Sequence, residues 1–167
     1  RLKQFRDVDD KTIDFSVETP KEMIAMFTNI LNILLAFLIG IGSISIIVGG
    51  IGIANTMYTS VLERNKEIGT MKAIGAKNSD ILFIFMIESG VLGLVGGGLG
   101  LLVGIGIAKS IEYISTAMLG ADIIRASMPP YLLVGVLAFA FFIGVVSGLT
   151  PSYQASKLKP VDALRYE

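Results

Sequence analysis

Residues 23–62 read MIAMFTNILNILLAFLIGIGSISIIVGGIGIANTMYTSVL, 40 positions between Glu22 and Glu63 without one Asp, Glu, Lys or Arg. A helix needs about 20 apolar residues to cross a hydrocarbon core about 30 Å thick, so this stretch is long enough to span a bilayer and continue beyond it. Two more charge-free runs follow, 20 residues between Glu88 and Lys109 and 31 between Arg125 and Lys157. Three runs of this kind predict an all-α integral membrane domain with three transmembrane helices, at about 24–57, 81–108 and 131–149.

The composition agrees with that class. Of 167 residues 53% are hydrophobic and 17% charged, an excess of apolar surface that a soluble fold of this size could not hide. The formal net charge is zero, and Lys and Arg are confined to the segments between and outside the spans, so no basic field points to nucleic acid. Neither Cys nor His is present, which removes thiol nucleophiles and the two commonest transition-metal ligands, and no metal site is expected. Gly104, Gly106, Lys109 and Ser110 only superficially resemble a phosphate-binding loop. The required glycines would fall on Val103 and Ala108, so no nucleotide site is encoded there.

Outside the spans the chain is polar. Ile13, Phe15 and Val17 alternate with Asp14, Ser16 and Glu18 in the period of a half-buried strand, closed by Pro20. One strand is not stable alone, so residues 1–20 read as the last strand of an extramembrane domain whose body lies upstream. Between the first two spans, residues 58–80 mix charges with Val61, Ile68, Met71 and Ile74 at helical spacing, which predicts an amphipathic helix broken at Gly75, with Ser79 or Asp80 capping the next helix. Residues 109–130 carry enough apolar positions, among them Ile111, Ile114 and Met118, for a short interfacial helix, ended by Pro129 and Pro130. Loop charge leaves orientation undecided: residues 58–80 and 150–167 hold seven of the 14 Lys and Arg, and the remaining segments hold the other seven.

Small residues form ladders in the spans. Gly96, Gly100, Gly104 and Ala108 recur every fourth position, with Gly93 and Gly97 on an adjacent row; Ser45, Gly49 and Gly52 lie in the first span, and Ala140, Gly144 and Gly148 in the third. Such rows let helix backbones approach closely, either within this chain or with a second copy. Glu88 is the one ionisable residue inside an expected span, and it sits two turns past Asp80, near enough the boundary to bond to Asn55 or Lys77. An intramembrane charge also raises an ion-coupling reading, a carrier or channel, though that needs further intramembrane charges this chain lacks.

The charged segment carries the sharper signal. It reads Glu63-Arg64-Asn65-Lys66-Glu67-Ile68-Gly69, then Met71-Lys72-Ala73-Ile74-Gly75-Ala76, followed by Ser79-Asp80-Ile81-Leu82 and the pair Ile87-Glu88. The tail holds Pro151-Ser152, Ala155-Ser156, Lys157-Leu158 and Pro160-Val161-Asp162-Ala163-Leu164-Arg165. Both resemble the MacB/FtsX family of ABC transporter permeases, with its E-R-x-x-E-I-G and A-x-G-A hairpin and its terminal P-x-x-x-A-x-x-L-x-P-V-x-A-L-R.

The resemblance implies that the three spans are helices two to four of a four-helix permease, with residues 1–20 closing a large extracytoplasmic domain. It implies that the 58–80 hairpin and the 150–167 tail are cytosolic, that 109–130 is extracytoplasmic, and that catalysis lies in a separate ATPase which binds ATP and Mg²⁺. Glu63, Arg64, Lys66, Glu67, Gly69, Lys72, Gly75 and Ala76 would then form the coupling surface, and Ile68, Met71 and Ile74 would pack on the ATPase or anchor the helix to the membrane. The family works as a permease dimer with two ATPase subunits, which places Ser45, Gly49 and Gly52 at or near the dimer interface. The activity implied is export of a drug, peptide, lipid or lipoprotein by mechanical relay; an FtsX-like regulator of extracytoplasmic cell-wall hydrolases is the alternative.

Overall fold

The computed structural model describes residues 20–119 and 126–158. The expected strand over residues 13–17 lies outside them, as does the terminal Pro160–Arg165 motif. The described residues form four helices: α1 over Pro20–Glu63, α2 over Asn65–Ala73, α3 over Asn78–Leu119 and α4 over Pro130–Ser156. Three of these, α1, α3 and α4, are long and apolar enough to cross a membrane.

The helices run further than the apolar runs that predicted them. α1 continues through Tyr58 to Glu63, so the first six residues of the expected hairpin belong to the long helix. α3 does not end near Ala108. It continues unbroken to Leu119 in place of a separate interfacial helix beyond Lys109, and Lys109 pairs with Glu112 one turn on, at 2.7 Å. α4 passes through Pro151 to Ser156, although that proline leaves the Ser147 carbonyl without its usual helical donor. Leaving the hydrocarbon does not by itself end a helix, because the i to i−4 bonds close within the segment itself and need no lipid around them. Side-chain hydroxyls are absorbed in the same way: those of Thr28, Ser43, Thr56, Thr59, Ser110 and Thr116 donate to carbonyls four residues back.

The chain divides into two compact units, residues 1–44 and 45–167. In the first, the described residues are the N-terminal part of α1, whose large apolar side chains are exposed, from Ile24 to Phe37 and Ile44. In the second, α3 and α4 pack along a seam of small residues. A Cβ placed on Gly93 would lie 2.9 Å from Gly144 Cα, and one on Gly144 would lie 3.0 Å from Gly93 Cα and 3.1 Å from Gly90 Cα. Gly97 is likewise closed off by Ala140, and Gly148 by the Ser89 side chain, whose hydroxyl donates to the Met86 carbonyl at 2.9 Å. The row that packs inside the chain is therefore Gly90, Gly93 and Gly97 against Ala140, Gly144 and Gly148. Gly96, Gly100 and Gly104, the more regular ladder in the sequence, have nothing within 4 Å of the point where a Cβ would stand.

The dense apolar core of the second unit lies where one end of each of the four helices meets the others. Met57 and Val61 of α1, Ile68 of α2, Ile81 and Phe85 of α3 and Ala155 of α4 are buried there, with Ile53, Met71, Ala76 and Leu158 packed around them.

Candidate functional site

α2 is the element around which this junction is built. It follows α1 after one residue outside the helical assignment, Arg64, whose amide still bonds to the Ser60 carbonyl and whose carbonyl accepts from the Ile68 amide, each at 3.0 Å. Neither Pro nor Gly sits at this break.

The far end of α2 is stopped by a Schellman motif. The Gly75 amide donates to the Lys72 carbonyl at 3.1 Å and the Ala76 amide to the Met71 carbonyl at 3.0 Å, with Gly75 at φ 107°. Only glycine takes that left-handed conformation without strain. Met71 and Ala76, the pair such a motif brings together, both pack against the core. The Ala73-Ile74-Gly75-Ala76 run is thus a stop signal written in side-chain size.

α3 then opens at Asn78, one residue before the earlier of the two expected caps. Asp80 acts from the third helical position: its carboxylate accepts the Lys77 amide at 3.1 Å, the reciprocal half of a capping box, so neither Ser79 nor Asp80 is the cap residue itself. A negative charge in the first turn also complements the helix dipole.

The residues singled out for coupling separate into two groups. Ile68 is fully buried and Gly69 is buried, while Met71, Lys72 and Ala76 are half-buried. Glu63, Arg64, Lys66, Glu67 and Gly75 are exposed, and Ile74 is 83% exposed, an apolar side chain left in the open beside the turn. Of the three apolar residues expected to face a partner or the membrane, one is core, one is partly covered and one faces out.

Lys72 turns inward. Its Nζ donates to the carbonyls of Ser156 and Leu158 at the end of α4, the latter at 2.8 Å. Arg64 reaches α3: its Nη1 lies 3.3 Å from both carboxylate oxygens of Glu88, with side chains 50% and 30% exposed. The partner of Glu88 is therefore Arg64 and not Asn55 or Lys77, because the break after Glu63 swings the guanidinium over the third turn of α3. A pair this exposed stabilises by at most about 1 kcal/mol. Among the described residues no group of three His, Cys, Asp or Glu could hold a metal ion.

The expected interface glycines lie elsewhere in the second unit. Gly49 and Gly96 line one apolar groove of about 390 Å³ between α1, α3 and α4, with Ile46, Leu92 and Phe139. Gly100 and Gly104 line another, of about 380 Å³, with Leu132 and Val136. Gly52 has nothing near its missing Cβ. Ser45 is exposed on α1.

Sequence reasoning missed the tertiary role of the tail. Pro151, Ser152, Ala155 and Ser156 are all buried, and Ala155 and Leu158 meet the α2 core, so the hairpin motif and the tail motif, far apart in sequence, form one junction. Their joint presence was a readable signal; their contact was not.

This arrangement coincides with the region that comparison picks out. The model of the family described as FtsX-like permease C-terminal matches residues 39–160. The chain is 45% identical over 154 residues to an ABC transporter permease of Methanocaldococcus jannaschii, covering 92% of this chain and 38% of that protein. It is 48% identical over 128 residues to an ABC transporter permease of Bacillus subtilis, covering 77% and 30%. It is 44% identical over 140 residues to the macrolide export ATP-binding/permease protein MacB of Bdellovibrio bacteriovorus, covering 82% and 20%. The chain thus spans less than two-fifths of the length of these relatives. It belongs to the FtsX-like family of ABC transporter permeases, multi-pass proteins of the cell membrane.

Proposed function

We propose that this chain is the part of a MacB-like exporter through which an ABC ATPase does mechanical work on the membrane helices, serving export of a drug, peptide, lipid or lipoprotein. The observation that carries the reading is the division of α2 into two faces. Ile68 and Met71 fasten it to the other three helices, while Lys66, Glu67 and Thr70, with Ile74 just past its end, remain exposed. An element that must receive force needs an accessible edge and a firm attachment, and the exposed residues and buried anchors of α2 support that reading.

In this reading residues 58–80 and the tail are cytosolic, the chain itself is not catalytic, and ATP and Mg²⁺ belong to the ATPase. Relatives named as ATP-binding/permease proteins carry both functions in one protein, which supports pairing of this membrane domain with such an ATPase. α1, at 44 residues about twice the length a bilayer requires, serves as a lever toward an extracytoplasmic domain. The small residues with open space beside them, Gly52, Gly100 and Gly104, are assigned to packing with a second permease copy, identical or related.

The docking edge is tested by Glu67→Lys combined with Ile74→Ser in the full-length permease, co-expressed with its ATPase. Both side chains are exposed, so the fold is expected to survive. Recovery of the ATPase with the permease is expected to fall at least about tenfold, in line with the loss of one central apolar anchor and one charge contact. Undiminished co-purification together with undiminished ATPase stimulation would contradict the assignment.

A further inference from the structure

We propose that Lys72 is a positioning residue that clasps the end of α4 to α2, so that displacement of α2 is passed directly to α4. The proposal rests on α2 being the coupling element. The last carbonyls of a helix have no partner within it, and a cation among them is favoured both by hydrogen bonding and by the helix dipole. Lys72 Nζ meets one such carbonyl, that of Ser156, the last residue of α4, and with it the Leu158 carbonyl two residues beyond the helix.

The neighbouring cation does not do this. Lys157 sits at the end of α4 with Nζ 4.4 Å from the centre of the Tyr153 ring. The last turn that Lys72 clasps is otherwise closed by two tight-turn bonds, Lys157 amide to Gln154 carbonyl at 3.1 Å and Leu158 amide to Ala155 carbonyl at 3.3 Å.

The apolar contacts beneath the clasp, where Ala155 and Leu158 join Ile68 and Met71 in the core, hold α2 and α4 together but supply no directional bond between them. Charge-assisted hydrogen bonds to two carbonyls resist both sliding and rotation. From α4 the motion continues into α3 through the Gly144–Gly93 seam, where backbones are in contact and little compliance remains. Lys72 is accordingly turned inward although it lies on a helix whose other charged residues face out. Its role differs from that of Lys66 and Glu67, which meet the ATPase.

The test uses the full-length permease in nanodiscs, alone and with its ATPase. Lys72→Met keeps the apolar stem and removes the donors, and Lys72→Arg restores a cation able to reach two carbonyls. In the permease alone, Lys72→Met is expected to speed hydrogen exchange of the Ser156, Lys157 and Leu158 amides about tenfold, with Lys72→Arg near the wild type. With the ATPase present, Lys72→Met is expected to co-purify normally and to retain basal hydrolysis, but to lose permease-dependent stimulation at least about fivefold, and Lys72→Arg to recover it. Unchanged exchange in Lys72→Met overturns the clasp, and loss of co-purification overturns the positioning role by making Lys72 a docking residue. Failure of the wild-type permease to engage any ABC ATPase would instead overturn the proposed function, and the exchange result would still decide the clasp.

Discussion

Truncation of Ile68 to Ala is expected to destabilise the domain by about 3 kcal/mol, while the same truncation at Ile74, six residues on, is expected to change stability by less than about 0.5 kcal/mol. Both are isoleucines within the family hairpin, and their chemistry is identical. Their surroundings are opposite: Ile68 is fully buried in the core with Met57, Val61, Ile81, Phe85 and Ala155, whereas Ile74 is 83% exposed. Removing three carbons at Ile68 leaves a cavity bounded by four helices that cannot all close on it, and that cavity adds to the lost burial. Thermal unfolding of the purified protein in detergent, followed by intrinsic tyrosine fluorescence and by loss of helical circular dichroism, measures the difference. Equal melting temperatures for the two variants would show that α2 is not held as described.

Substitution of Leu for Gly144 is expected to be worse, costing more than about 3 kcal/mol and separating α3 from α4. The Cβ alone would meet the backbone at Ser89, Gly90 and Gly93, and backbone cannot step aside as a side-chain tip can. In lipid no hydrophobic gain drives the helices back together, since the bilayer is as apolar as leucine, so lost packing is lost association. Gly96→Leu is the matched control, because nothing lies within 4 Å of the point where its Cβ would stand and the position opens onto the apolar groove of about 390 Å³. Trapping by a short bifunctional thiol crosslinker between cysteines placed at Gly98 and Leu137 reports the seam, because the two positions face each other across it, a Cβ on Gly98 lying 3.9 Å from Leu137 Cδ2. Trapping is expected to persist in Gly96→Leu and to be lost in Gly144→Leu, and equal efficiency in both would refute the seam.

These two sites also show where the sequence was legible. Three membrane-capable helices followed from three charge-free runs, because the cost of a charge in hydrocarbon leaves gaps that composition alone reveals. Their ends did not follow, since Tyr58–Glu63 and Lys109–Leu119 are polar enough to leave the bilayer yet remain helical. Gly75 could be read as a break because a left-handed residue at a helix end is written as glycine. Which glycine row packs inside could not be read: Gly90, Gly93 and Gly97 and the more regular Gly96, Gly100 and Gly104 both recur at the three- or four-residue spacing of a helix face, and only the rotation of α3 toward α4 distinguishes them. The same holds for α2 and its closing turn, where Ile68 and Ile74 look equivalent until the core is in place. The carbonyls that Lys72 finds lie 84 and 86 residues away, and a backbone acceptor carries no signature of its residue type.

In the proposed function α2 presents its outer edge to an ATPase while its inner edge holds the helices together. Single cysteines along α2 and its closing turn in the full-length permease, carrying a short photoactivatable crosslinker and assayed with the ATPase bound, test it most directly. The expected pattern is crosslinking to the ATPase from Lys66→Cys, Thr70→Cys and Ile74→Cys, with none from Met71→Cys, whose side chain packs against the junction. Crosslinks from Met71→Cys as strong as those from Ile74→Cys, or none from any exposed position while the ATPase remains bound, would contradict the account.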